Sequence, residues 1–226
     1  MLGRRVEQIV FGVGLCIAVM CAVLGADVHE AMLEQEREFS RLLAENLNQR
    51  VYRRFVLPTL ICHGKIALRQ PVQYDRLDQV IKGQTEGLGL LSLRIFDHGQ
   101  TVSYSLDKGE SGRSDLAGPD TATGLQEKAS SFAMEGVSSM AALFRTSFEP
   151  GAFVLRTTHP LVAPSRDENV DDDKIMGVLE FRRDITPTVE RIVRLQRWLA
   201  LGIVTMLAGL GMGMFLHVRG RGGVAG

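Results

Sequence analysis

"KIMGVLEFRRDITPTVERIVRLQRW", residues 174–198, decides how this chain is read. It opens like a sheet strand, stops at Pro187, and becomes an arginine-rich amphipathic helix that reaches Trp198. Beyond Trp198 no residue is charged until Arg219. A folded domain therefore passes its last strand, through one short linking helix at residues 191–197, straight into an apolar span.

The same pattern stands at the other end. The chain has 226 residues, is 45% hydrophobic and carries a formal net charge of zero, but its apolar residues are concentrated at the extremities. No charge interrupts "QIVFGVGLCIAVMCAVLGA", residues 8–26, or "WLALGIVTMLAGLGMGMFLHV", residues 198–218. About 20 apolar residues in a helix cross about 30 Å of hydrocarbon. Both segments are apolar on every face, unlike an amphipathic core helix. A secretory cut after Ala26 would put Leu24 where a small residue is wanted, and Met20 spoils a lipoprotein site at Cys21, so the first segment is expected to be an uncleaved anchor.

Arg4 and Arg5 favour a cytoplasmic N-terminus. The expected layout is a cytoplasmic stretch at 1–7, spans at 8–26 and 198–218, an extracytoplasmic domain at 27–190, and a cytoplasmic tail at 219–226. Glu30, Glu34, Glu36 and Glu38 agree with this orientation, as do Arg219 and Arg221, whereas Arg191, Arg194 and Arg197 run against it. The expected setting is a bacterial inner membrane.

Within the domain, Phe39, Leu43, Leu47, Val51 and Phe55 recur every four residues, with Leu42 on the same face, predicting one long helix to about Leu57 that Pro58 bends or ends. Leu77, Val80 and Ile81 mark a shorter helix. The period then changes to two: "LLSLRIFD" and "TVSYSL", joined by "DHGQ", predict a hairpin. A Gly-, Ser- and Asp-rich insert at 107–137 is expected to hold a short helix near "GLQEKASSFA". Three more strands are expected at "SSMAALFRTS", "AFVLRTTHPLV" and "KIMGVLEFRRDI". The fold class is α+β, a long N-terminal helix on a five-stranded antiparallel sheet, flanked by two transmembrane helices.

The terminal strand "GVLEFRRDITP", preceded by "FVLRTTHPLV" and an acidic turn, resembles that of the Cache sensor domains, PAS-like extracytoplasmic sensors of bacterial membrane receptors. The resemblance covers about residues 27–190. It implies a long membrane-proximal helix on a five-stranded PAS-like sheet, with a small ligand held between the sheet and the segment linking its second and third strands. Such domains head histidine kinases, chemoreceptors or cyclic-dinucleotide enzymes, yet only "RGRGGVAG" follows the second span, so no output domain is expected here. The expected function is a membrane-anchored small-molecule sensor acting through a separate histidine kinase or chemotaxis-type partner. The alternative is a structural or assembly subunit whose domain binds protein.

Inner-strand side chains offer the pocket candidates Tyr104, Arg145, Arg156, Thr158 and His159. An arginine pair suits an organic carboxylate, because guanidinium binds both oxygens at once. Strand parity puts Arg156 and Thr158 on one face and Thr157 and His159 on the other, and Arg156 is preferred.

No catalytic, cofactor or metal site is expected. His63, His98 and His159 lack metal-ligand spacing, and no nucleophile elbow or phosphate-binding glycine loop occurs. Cys62-His63 lacks the first cysteine of a haem attachment motif, and "DENVDDD", residues 167–173, lacks the glycine and final glutamate of an EF-hand loop. Zero net charge without a basic stripe of interleaved aromatics argues against a nucleic-acid surface. Gly209 and Gly213 form a G-x-x-x-G pair, which with the long first helix points to a homodimer.

Overall fold

The computed structural model describes residues 2–68, 70–136, 145, 147–163 and 174–222; in the two long terminal helices, side chains are described mainly from residue 30 onward and up to residue 213. The chain divides into two compact units: Gln35–Val137 with Phe148–Pro187, and Met1–Glu34 with Ser138–Ser147 and Thr188–Gly226.

Helix α1, Leu2–Val51, runs unbroken from the first apolar stretch into the domain. A π turn, Tyr52–Val56, and helix α2, Leu57–His63, continue it. Pro58 lacks an N–H and crowds the carbonyl four residues earlier. The wider turn ahead of it absorbs that mismatch, with the Leu57 N–H donating to the Tyr52 carbonyl. The helix therefore changes pitch just ahead of Pro58 and stops only at Gly64, whose φ of 70° closes it in the left-handed region.

Helix α3, Pro71–Thr85, precedes strands β1, Leu90–Phe96, and β2, Val102–Ser105. Helix α4, Pro119–Glu127, lies in the connection to β3, Ser131–Gly136. Strands β4, Phe153–Ala163, and β5, Lys174–Asp184, complete the sheet, and helix α5, Thr186–Gly222, follows. The fold is α+β, with one antiparallel five-stranded sheet in the order β2-β1-β5-β4-β3.

The last strand thus occupies the centre. Gly177 is required there, because a Cβ at that position would collide with the Phe96 carbonyl of β1. The third strand forms at 131–136, ahead of the expected "SSMAALFRTS", most of which lies outside the described residues. Phe132 and Ala133, expected in a helix, alternate on that strand, because α4 already stops at Lys128 with a left-handed φ of 54°.

One face of the sheet carries the main apolar core: Leu93, Ile95, Tyr104, Leu161, Leu179 and Phe181 pack with Ala44, Leu47, Val51 and Phe55 of the long helix and Leu77 and Ile81 of α3. The four-residue stripe drifts at its N-terminal end. Steps of four residues rotate about 40° around a 3.6-residue helix, so Ser40 and Ala44 are fully buried while Phe39 and Leu42 stay 43% and 46% exposed. The Arg183 guanidinium lies 4.7 Å from the Phe39 ring centroid and pairs with Glu36, covering what the drift leaves outside. Asn48 ties the helix to β4 by accepting from the Val162 N–H and donating to the Val162 carbonyl, both at 3.2 Å.

In the other unit, among the described residues one helix is long and apolar enough to cross a membrane: Thr186–Gly213 of α5, with a mean hydropathy of 1.4. Residues 191–197 are helical and form part of α5, which begins at Thr186 and continues through Trp198. A Cβ on Gly14 would collide with Leu210, which places the first apolar stretch beside α5.

Candidate functional site

The opposite face of the sheet is polar at its centre. Register aligns Ser105, Arg94, Glu180, Thr158 and Ser131 in one row across all five strands, from β2 to β3. The next row pairs Arg182 with Arg156 and Arg156 with Ala133. Period-two alternation sends each of these side chains away from the helix-covered core. Helix α4 and the preceding loop cover the row, and Gly124 makes the approach close, since a Cβ there would lie 3.2 Å from Val178.

The charges under this cover are matched pair by pair. Arg94 donates to Glu110 through Nε at 2.8 Å and Nη2 at 2.5 Å, and to Glu180 at 3.2 Å. The Ser105 hydroxyl donates to Glu110 at 2.7 Å. These bonds, Arg94 foremost, hold the Glu110 carboxyl down at about 2. Glu180 is only 3% exposed, and burial pushes its carboxyl above the usual range despite Arg94. Arg156 donates to Asp120 of α4 at 2.8 Å and has Glu135 at 3.6 Å, and Glu135 also pairs with Arg182.

On this face the Nε atoms of Arg156 and Arg182 and two hydroxyls are buried without a hydrogen-bond partner among the described residues. Thr158 on β4 and Thr121 on α4 are 1% and 0% exposed, and neither hydroxyl has a hydrogen-bond partner among the described residues. A buried unpaired hydroxyl costs about 1–3 kcal/mol. Thr158 stands in the row that carries Glu180, and Thr121 on the helix that covers it.

The five residues expected to line one pocket separate into three places. Arg156 and Thr158 share the α4-covered face, as parity requires. His159 and Tyr104 point the other way: the Ser130 hydroxyl lies 2.7 Å from His159 Nδ1, and the Tyr104 hydroxyl donates to Asp78 of α3 at 2.9 Å. Burial lowers the His159 pKa and raises that of Tyr104. Tyr104 is a core residue, and no bulge brings His159 round to Arg156. Arg145 lies outside every strand, is exposed, belongs to the other unit, and accepts a hydrogen bond at its carbonyl from Arg197.

Arg94, Glu110, Asp120, Thr121 and Glu180 also belong to this face without having been expected there. Arg94 in "LRI" and Glu180 in "LEF" are single charges inside apolar alternation, and their opposite signs were the readable signal. Asp120 and Thr121 gave none. Among the described residues no group of three His, Cys, Asp or Glu side chains is placed to hold a metal, and Cys62 is exposed in the last turn of α2. The "DENVDDD" turn lies outside the described residues.

No family model matches this chain, and no curated protein matches it.

Proposed function

We propose that this protein is a membrane-anchored sensor of the Cache type, whose domain takes a small polar molecule between the sheet and α4 and passes its ligand state to a separate signalling partner. The observation that carries the reading is the pair of buried, unpartnered hydroxyls, Thr158 and Thr121, on a face that also holds Arg156 and Glu180. An organic carboxylate is the favoured ligand. It would take the guanidinium of Arg156 from Asp120, and so exchange a contact that fastens α4 for one that fastens the ligand. A ligand that prefers one arrangement of α4 shifts the population toward it.

The junction after β5 supports a transmitting role. Asp184 accepts from the Thr186 N–H at 2.8 Å and from the Gly151 N–H at 3.0 Å, and the Thr186 hydroxyl accepts from the Phe153 N–H at 3.1 Å. One residue, Ile185, separates strand from helix, and its N–H donates to the Phe153 carbonyl, so the connection has no slack. In this reading both apolar stretches span the membrane, with the domain outside the cytoplasm. The neighbouring positions of Gly14 and Leu210 favour a two-helix hairpin, and open space at Gly209, Gly211 and Gly213 favours a homodimer.

The test is thermal unfolding of the purified full chain with a panel of organic acids, amino acids and polyols. One chemical class is expected to raise the midpoint by several degrees, and the rise is expected to vanish in Thr158→Val and Arg156→Met. No shift with any compound, together with a fixed protein copurifying, would favour an assembly subunit instead. A reporter fused at residue 120 checks the orientation; cytoplasmic activity there would overturn it.

A further inference from the structure

The first domain unit also holds two cavities that meet at a shared lip. One, about 310 Å³, is walled by Val51, Phe55, Leu77, Ile95, Leu161 and Met176. The other, about 440 Å³, is bordered by Thr101, Ser103 and Ser111. Ile66, Leu68, Asp97 and Ser103 belong to both walls. A mostly apolar chamber thus adjoins one of mixed lining, where Ala67 and Val102 stand beside the hydroxyl-bearing residues, with a carboxylate-bearing residue in the shared wall.

Two independent features mark the apolar chamber as more than a packing gap. Part of its helical wall is the π turn, which places the consecutive residues Phe55 and Val56 both inside, at 2% and 5% exposure. Such turns concentrate at functional positions in helices. Cavities of about 300–1,000 Å³ with few polar groups are the usual seats of small ligands.

The junction supplies the chemistry. Asp97 Oδ1 accepts the Thr101 N–H at 2.9 Å. Among the described residues Oδ2 has no hydrogen-bond partner and the carboxylate has no ion-pair partner. The Thr101 hydroxyl reaches only the Gly99 carbonyl, at 3.5 Å. A primary ammonium carries three donors and no acceptor, and this lip offers a carboxylate oxygen and the Thr101 and Ser103 hydroxyls.

We propose that these joined cavities bind an amphipathic amine, its aliphatic or aromatic body in the apolar chamber and its ammonium group on Asp97. The site uses none of the residues assigned to the α4-covered face, so it stands or falls separately from the sensor reading.

The experiment uses the full chain in lipid nanodiscs, with empty nanodiscs as the control, and compares hexylamine, hexanol and hexanoate by ligand-observed NMR. Hexylamine is expected to bind roughly tenfold tighter than hexanol, the worth of one charge-assisted hydrogen bond, and hexanoate weakest. Asp97→Asn keeps the acceptor for Thr101 and is expected to reduce hexylamine to the level of hexanol without changing hexanol. Leu68→Trp, placed in a loop at the shared lip, is expected to abolish binding of both; circular dichroism checks that each variant is folded. Equal binding of the three compounds, no saturable binding to the folded wild-type chain, or an amine preference surviving Asp97→Asn would overturn the proposal.

Discussion

Leu93, Ile95, Leu179 and Phe181 look toward α1 and α3, while their chain neighbours Arg94, Glu180 and Arg182 look toward α4 and the connection around it. The same strands therefore build two different interiors. On the helix side, area removed from water does the stabilising. On the α4 side, charges and hydroxyls are held out of water, so stability depends on every partner being present. A face of the second kind is a poor way to gain stability and a good way to recognise a polar molecule.

The comparison breaks most sharply at Phe181, fully buried in the helix-side core. Phe181→Ala is expected to cost about 3–5 kcal/mol in chemical denaturation, as large-to-small core changes do. A loss under about 1 kcal/mol would mean that the helix side is not the main source of stability.

Arg94→Met is expected to cost roughly 3 kcal/mol, because Glu180 is left charged or is forced to take up a proton inside. Adding Glu180→Leu to that variant is expected to return most of the loss, since Glu110 has a side chain 17% exposed and keeps some water. If the double variant is as unstable as the single one, the two residues do not share their cost.

A smaller effect sharpens the contrast between two carboxylates on one arginine. Glu110 is depressed to about 2 from 4.5, so its contribution is full above 4.5 and disappears as pH falls toward 2. Glu180 is shifted the opposite way, by burial. Its ionised form opposes folding, and acidification through its raised pKa toward 4.5 relieves that cost. Unfolding midpoints against pH are therefore expected to show a flattened acid limb in Glu110→Gln. In Glu180→Gln the gain on acidification above 4.5 is expected to disappear. An unchanged acid limb in Glu110→Gln would separate Glu110 from the stability of the fold.

Much of this architecture was legible because alternation has only one solution on a half-covered sheet. The hairpin of β1 and β2, strands β4 and β5, and the segregation of Arg156 and Thr158 from His159 all follow from period two. The helix stripe was legible at Leu47, Val51 and Phe55 but not at Ser40 and Ala44, whose small side chains give no hydrophobic signal. The strand at 131–136 was missed because "SFAMEG" is short and its first residues read as the end of a helix, while most of the expected "SSMAALFRTS" lies outside the described residues. Tyr104 was misassigned because a tyrosine on a strand reads equally well as core or pocket, and only the position of Asp78 on α3 decides. Asp120 and Thr121 were invisible, since their role depends on where a loop lays α4.

The sheet order carries a consequence for biosynthesis. Strands β1 and β2 leave the ribosome as one hairpin, and β3 and β4 pair with each other, but neither pair touches the other until β5 enters between them. Contacts between residues far apart in the chain slow folding. During translation two ribbons with open edges must wait for residues 174–184, and a stall before that point would leave both edges free to pair with other nascent chains.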